Sequence, residues 1–209
     1  MSHDSPPFFH LQPLTRRPYW PVWQAMQDFT RNRLAETPDE IWLIEHEPVY
    51  TIGQAGKKAH IIAPGDIPII QTDRGGQVTY HGPGQLVVYC LLNLRRLGYT
   101  IRALVSALEN IVIQLLADYG VVARAKREAP GVYVQDAKIA SVGLRIRQGY
   151  CYHGLALNVA MDLSPFAGIN PCGFSDLAVT QLADLVGSAN LSKVASQLMS
   201  HWHHGLALN

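Results

Sequence analysis

Three cysteines in this 209-residue sequence could act as nucleophiles, and their surroundings distinguish them. Cys90 lies within a continuous apolar run, where a thiol behaves as a small hydrophobic side chain. Cys151 lies in a strand-like segment without a basic neighbour in sequence. Cys172 stands between Pro171 and Gly173, which predicts a tight, exposed loop where a reactive thiol can meet a substrate. Cys172 is therefore the candidate nucleophile, and a structural role is the alternative for any single cysteine.

A thiol is a good nucleophile only as a thiolate, so it needs a base or a positive charge nearby. Lys138 is the candidate for this role, because it stands at the start of a β-like run. A lysine that enters a partly dry site can act as a cation or as a base. An ordinary solvated lysine is the alternative at this position.

The stretch from Asp73 to Gln85 places a short alternating segment, residues 78–80, between two groups of glycines. Glycine lets a ligand approach the backbone closely. Arg74 and His81 add side-chain donors on either side of the segment. These features predict a slot for a polar head group such as a carbonyl, and two ordinary turns around a strand are the alternative.

The hydrophobic pattern predicts the elements that must position these groups. Helical spacing of apolar residues predicts helices over residues 19–34, 100–119 and 191–202, and the aromatic residues of the first helix are expected in the core. Clusters of β-formers predict strands over residues 40–45, 67–72, 86–94, 131–134, 138–146 and 150–159, with residues 49–52 as a continuation of the first of these past Pro48. We therefore predict one α/β (α+β) domain, in which a mixed β-sheet carries packed helices.

Composition narrows the class of protein. With 48% hydrophobic and 16% charged residues the chain is globular, and a net charge of +1 argues against a nucleic-acid partner. No apolar run is long enough to span a bilayer, so no membrane partner is predicted. A polar N-terminus and an odd number of irregularly spaced cysteines favour a cytoplasmic protein with reduced thiols.

Two side-chain clusters lie outside these motifs. The histidines at positions 201, 203 and 204 have no cysteine or acidic residue near them in sequence, so no metal site is predicted. Positive charge is concentrated between residues 124 and 147, where it could dock an acidic partner or form an ordinary solvated face. The members of this basic patch are Arg124, Lys126, Arg127, Lys138, Arg145 and Arg147.

Five segments, taken in order, resemble the lipoyl(octanoyl) transferases, which are similar in fold to the biotin and lipoate protein ligases. The segments are residues 74–85, 130–134, 138–144, 153–159 and 170–173. The similarity covers about residues 41–173, and the helical part over about residues 174–209 resembles the family only loosely. That tail ends in a letter-for-letter copy of residues 153–158, to which we assign no function. The resemblance implies a single catalytic domain over residues 1–209.

The resemblance also implies a reaction, the first step of lipoate biosynthesis and protein lipoylation. An octanoyl group passes from octanoyl-acyl carrier protein to a lysine of a lipoyl domain, in a 2-oxoacid dehydrogenase or the glycine cleavage H protein. Cys172 would carry the acyl group as a thioester and Lys138 would lower the pKa of that thiol, with no cofactor and no ATP. An ATP-dependent lipoate or biotin protein ligase of the same fold is the nearest alternative, and it would need no nucleophilic cysteine. A more distant alternative is a non-catalytic module that binds acyl carrier protein or a lipoyl domain through the basic patch without forming a covalent adduct.

The same resemblance implies the residues of an acyl pocket. Backbone N–H groups of Gly75, Gly76 or Gly143 are the alternatives for holding an oxyanion, an interaction usually worth a few kcal/mol. The residues implied to line the pocket are Arg74, Gly75, Gly76, Gln77, Val78, Thr79, Tyr80, His81, Ser141, Val142, Gly143, Gly154, Leu155 and Ala156.

Overall fold

The computed structural model describes residues 9–170 and 177–206 of the chain. The strands in these ranges are β1 (Phe9–Arg17), β2 (Asp39–His46), β3 (Val49–Ile52), β4 (Ile69–Gln71), β5 (Val78–His81), β6 (Gln85–Asn93), β7 (Arg124–Ala125), β8 (Gly131–Val134), β9 (Ala137–Arg147) and β10 (Tyr150–Asn158). The α-helices are α1 (Tyr19–Asn32), α2 (Leu94–Leu97), α3 (Ile101–Asp118), α4 (Leu182–Val186) and α5 (Leu191–Gly205). None of these described helices is long and apolar enough to cross a membrane.

Two sheets organise the strands. The larger has seven strands in the order β1-β2-β6-β10-β9-β8-β7, and the smaller has three in the order β4-β3-β5. Each sheet contains one parallel pair, β1 with β2 and β4 with β3, and the other neighbours are antiparallel. This arrangement of a mixed sheet with helices confirms the predicted fold class.

The main core lies between the large sheet and two helices, α3 and α5. β6 is buried at every position, as its continuous apolar sequence predicts for a strand covered on both faces. α3 presents Leu104, Leu108 and Ile111 to this core at helical spacing. Its first turn is capped by the side chain of Thr100, which accepts from the N–H of Ala103 at 3.2 Å.

The opposite face of the large sheet packs against α1. Val22 and Met26 of this helix contact the side chains of β6 that point away from α3. The small sheet has a core of its own, built around Tyr50 and Tyr80.

Two expectations from the sequence are corrected here. The expectation that the aromatic residues of α1 are in the core is wrong for Trp20, which is 49% exposed, because the buried stripe of the helix contains Tyr19, Val22 and Met26 instead. Residues 49–52 do not extend the preceding strand. They form β3, the central strand of the second sheet, because the chain turns at Glu47 and Pro48.

Candidate functional site

A cavity of about 560 Å³ lies against the face of the large sheet that also meets α1. The space exists because small residues occupy this face in register across two strands. Gly154 of β10 pairs with Gly143 of β9, and Ala156 pairs with Ser141. Val87 and Tyr89 of β6 lie beside them and continue the wall.

The structure brings most of the sequence-predicted residues together on the wall of this cavity. Tyr80 is the exception among the pocket residues, because its ring packs on Tyr50 and Phe166 in the core of the small sheet. Cys172 lies outside the described residues. The predicted residues that line the cavity are Lys138, Arg74, Gly75, Gly76, Gln77, Val78, Thr79, His81, Ser141, Val142, Gly143, Gly154, Leu155 and Ala156.

Lys138 lies at one end of this wall and is only 4% exposed. Its amine donates to the carbonyl oxygen of Pro130 at 3.3 Å and lies 5.2 Å from the centre of the Tyr133 ring. Gly131 lies beside it, and a Cβ built at that position would be 3.5 Å from the amine nitrogen. The lysine is therefore a buried cation held by a carbonyl and an aromatic ring, not a solvated one.

The two described flanks of the segment that contains Cys172 are both anchored by backbone hydrogen bonds. On one side, the N–H of Asn170 donates to the carbonyl of His60 at 2.8 Å. On the other side, the N–H of Lys138 donates to Ala178 at 2.8 Å, and the N–H of Thr180 donates back to Lys138 at 3.0 Å. The chain that follows residues 171–176 is thus attached to the backbone of Lys138 itself.

Arg74 fixes the glycine loop over the sheet. Its buried guanidinium donates to the carbonyls of Thr51, Gly75 and Gln77 at 2.7–2.9 Å. The N–H of Gly75 donates to the carbonyl of Leu144 at 2.9 Å. The N–H of Gly75 is therefore already hydrogen-bonded, and Gly75 is excluded from the three backbone donors considered for an oxyanion.

His81 is a neutral, buried histidine whose N–H points away from the cavity. Burial, with smaller contributions from nearby positive groups, lowers its pKa to about 3. The amide nitrogen of Gln85 donates to Tyr80 and to Asn158, so the amide oxygen accepts from Nδ1 of His81 at 2.7 Å. The expectation that a neutral His81 donates to a substrate carbonyl is therefore not supported by these partners. The same chain of bonds continues from Asn158 to the carbonyl of Thr180 at 3.0 Å.

Sequence reasoning missed several residues on the far part of the cavity wall. Tyr19 and Tyr89 contribute rings to the wall. The hydroxyl of Tyr89 donates to Nε2 of His46 at 2.7 Å, while Nδ1 of His46 donates to the carbonyl of Arg17 at 2.9 Å. Burial lowers the pKa of His46 to about 4, so this ring is the neutral acceptor for the tyrosine.

Asp73 is the centre of a separate hydrogen-bond network, which the sequence did not reveal. Its carboxylate accepts from Trp23 at 2.9 Å, from His153 at 2.9 Å and from the hydroxyl of Tyr152. Burial would raise the pKa of Asp73, but these donors together lower it below its usual range. His153 lies on the cavity wall with a φ of 62°, a left-handed conformation that is unusual for a residue other than glycine.

The other two cysteines are unsuited to nucleophilic chemistry, as the sequence indicated for Cys90. Cys90 and Cys151 are fully buried, and burial raises the pKa of each thiol. A buried thiol with a raised pKa stays protonated and unreactive.

The predicted basic patch is not continuous. Lys138 is buried, and Arg124 and Lys126 both bind Asp136, at 3.0 and 3.1 Å. The prediction of a docking or solvated face therefore does not hold for Lys138, which is buried.

Comparisons with known proteins identify the family of this chain. A family model described as the lipoyl protein ligase A/B catalytic domain matches residues 18–203. An octanoyltransferase from Pseudomonas fluorescens strain Pf-5 is 62% identical over 180 residues, which cover 86% of this chain and 84% of the relative.

Solved structures with the same fold are more distant in sequence. A lipoate protein ligase from T. acidophilum with bound lipoic acid has a TM-score of 0.76 at 16% identity, covering 95% of this chain and 86% of that one. A lipoate-protein ligase A bound with ATP has a TM-score of 0.75 at 15% identity, covering 95% of this chain and 85% of that one.

The resemblance seen in the five sequence segments is thus confirmed, and with it the class of acyltransferase. Because the family model matches most of the sequence and a relative of 62% identity is matched over 86% of it, the chain belongs to the lipoyl protein ligase A/B catalytic-domain family.

Proposed function

We propose that this chain transfers an octanoyl group from octanoyl-acyl carrier protein to a lysine of a lipoyl domain, through a thioester on Cys172. Lipoyl domains of 2-oxoacid dehydrogenases and the glycine cleavage H protein are the proposed acceptors. The observation that carries the proposal is the position of Lys138. It is buried on the wall of an acyl-sized cavity, and its backbone is bonded to the chain that follows the segment containing Cys172.

The first step is an exchange of thioesters. The thiolate of Cys172 attacks the carbonyl carbon of the donor, the bond from that carbon to the carrier sulfur breaks, and the carrier leaves as a thiolate. The ammonium of Lys138 gives this thiolate a proton and becomes a neutral amine. One thioester replaces another, so the step is close to isoenergetic and needs no ATP.

The second step uses the same lysine in the opposite direction. The neutral amine of the target lysine attacks the thioester carbon, and Cys172 leaves as a thiolate. The proton lost by the new amide nitrogen goes to the neutral amine of Lys138, which restores the ammonium. Amide formation makes this step favourable, and the enzyme returns to its starting charge state.

The cavity wall is suited to an acyl chain. The polar atoms of Tyr89, His81 and His153 are bound to His46, Gln85 and Asp73 respectively, so their ring carbons form much of the surface. Leu144 lies six residues beyond Lys138 on β9, about 20 Å along an extended strand, so the wall is long enough for a chain that starts at Lys138.

The test is an intact-mass measurement after incubation with octanoyl-acyl carrier protein. The protein should gain one octanoyl mass that hydroxylamine removes, and Cys172→Ser should gain none. Cys151→Ala is the matched control, since it removes a buried thiol away from the cavity wall and should keep the adduct. An adduct that persists in Cys172→Ser would contradict the proposal.

A second arm separates the transferase from an ATP-dependent ligase. A lipoyl domain is incubated with the enzyme and either octanoyl-acyl carrier protein alone or free octanoate with ATP. We expect octanoylation of the lipoyl domain only with the carrier-bound donor. Modification with octanoate and ATP, retained in Cys172→Ser, would identify a ligase instead.

A further inference from the structure

One peptide group lies between Lys138 and a buried carboxylate. The carbonyl oxygen of the Pro130–Gly131 peptide accepts from the amine of Lys138 at 3.3 Å. The N–H of the same peptide, on Gly131, donates to Oε1 of Glu109 at 2.7 Å. The ammonium and the carboxylate are therefore connected through the two ends of a single amide.

Glu109 is an unusual residue for its position on α3. It is 6% exposed and stands among the leucine, isoleucine and valine side chains with which the helix meets the sheet. Acidic side chains are almost never this buried unless they are paired. Burial raises the pKa of Glu109, while the Gly131 N–H and the charge of Lys138 oppose that rise.

The local backbone is adapted to this arrangement. Gly131 has a φ of 135°, and a Cβ there would come within 2.5 Å of the carbonyl oxygen of Ala140. Only glycine fits, so the peptide is held with its carbonyl towards Lys138 and its N–H towards Glu109.

We propose that Glu109 is a positioning residue that keeps Lys138 protonated, acting through the Pro130–Gly131 peptide. This inference rests on the proposed function of Lys138 as the proton donor of the first step. A carboxylate that accepts from the N–H end of an amide polarises it, which makes the carbonyl end a stronger acceptor for an ammonium. The negative charge also favours the charged form of the lysine directly.

The other charged groups around Lys138 differ in what they can do. Lys126 lies 4.5 Å from the centre of the same Tyr133 ring and disfavours the charge on Lys138. Glu128 lines the cavity from the loop before β8, but it is exposed and therefore screened. Among the described residues that face Lys138, Glu109 is the buried acidic one.

Glu109→Gln is the decisive variant, because the glutamine oxygen still accepts from the Gly131 N–H while the charge is removed. Without that charge, Lys138 releases its proton at lower pH. The alkaline limb of the acylation rate should therefore move down by about one pH unit. Acylation should be about tenfold slower on the alkaline side and unchanged on the acid side.

The measurement is the single-turnover rate of octanoyl adduct formation across pH, followed by intact mass. Asp118→Asn is the matched control, since it removes a carboxylate from the same helix at its far end, where Asp118 binds His201. This control should superimpose on the wild type. A Glu109→Gln profile that also superimposes on the wild type would overturn the inference.

An NMR titration tests the inference independently of acyl transfer. The amide nitrogen shift of Gly131 should titrate with Lys138 in the wild type, stay flat in Lys138→Met, and titrate at lower pH in Glu109→Gln. A Gly131 signal that does not respond in the wild type overturns the inference even if Glu109→Gln fails to fold. Absence of any octanoyl adduct in the wild type would instead refute the proposed function and leave this titration to decide the inference.

Discussion

Two buried histidines should make the fold sensitive to mild acid. Burial lowers the pKa of His46 to about 4 and that of His81 to about 3. In the unfolded chain a histidine has a pKa of about 6.5. Below this pH the unfolded chain takes up protons that the folded protein does not, so the free energy of unfolding falls as pH falls, until the folded pKa values are reached.

The size of the effect follows from these values. Between pH 7 and pH 5, each histidine that stays neutral in the folded state lowers the free energy of unfolding by about 2 kcal/mol, or about 4 kcal/mol for the pair. This is a large part of the roughly 5–15 kcal/mol that stabilises a typical domain. His153 also lowers the free energy of unfolding as the pH falls, because burial lowers its pKa too.

The assay is urea denaturation followed by tryptophan fluorescence at pH 7, 6 and 5. The wild type should lose at least about 4 kcal/mol over this range, and His81→Gln should lose about 2 kcal/mol less than the wild type, whatever its stability at pH 7. His10→Gln, which replaces an exposed histidine of β1, should behave like the wild type. A wild-type free energy of unfolding that does not change between pH 7 and pH 5 would refute this reasoning, as would an unaltered loss in His81→Gln.

Two further predictions concern the neighbourhood of Lys138. Lys138→Ala should slow acylation most at neutral pH, and the acylation rate should recover partly in alkali, where the thiol ionises without help. A rate profile across pH like that of the wild type would remove Lys138 from the mechanism. Gly131→Ala should lower octanoyl transfer about 100-fold, because its Cβ would displace the peptide that holds the amine. Its matched control is Gly65→Ala, which also has positive φ but open space around the Cβ, and which should cost about 1 kcal/mol of stability without loss of transfer. Equal activities of these two variants would contradict the second prediction.

The parts of the fold that the sequence predicted are those specified by local signals. α3 is predicted within two residues of its ends, because Thr100 caps its start and Gly120 follows it with a φ of 71°. β6 is predicted because nine consecutive buried positions leave a continuous apolar run. In both cases the information lies within the element itself.

The parts that were missed depend on distant partners. β1 has an amphiphilic sequence with a proline, and it becomes a strand by pairing in parallel with β2 some thirty residues later. The hexapeptide at residues 153–158 lies within β10, whereas the start of its copy, at residues 204 and 205, ends α5. Identical residues thus take different structures because their surroundings differ, and no local pattern can distinguish them.

The residues of the candidate site also divide into those that local sequence signals predict and those that depend on distant partners. Its glycine and alanine positions were found because they belong to recognisable segments, and they line one cavity. Asp73 and His153 are 80 residues apart, and Glu109 reaches the Pro130–Gly131 peptide across 22 residues. Each of these pairs exists only after the chain has folded, so the sequence does not show which residues are partners, even where it singles out the segments that contain them, as for Asp73 and His153.

Lys138 explains why separate sequence segments must keep their order and spacing. β9 supplies the lysine, and the segment 130–134 supplies the peptide that holds its amine. The chain at residues 178–180 pairs with its backbone, directly after the segment that contains Cys172. A change in the length of any of these segments would move one partner relative to the other two. The amine is held in place by several elements at once, as the role that we propose for it, donating a proton in one step and accepting one in the next, would require.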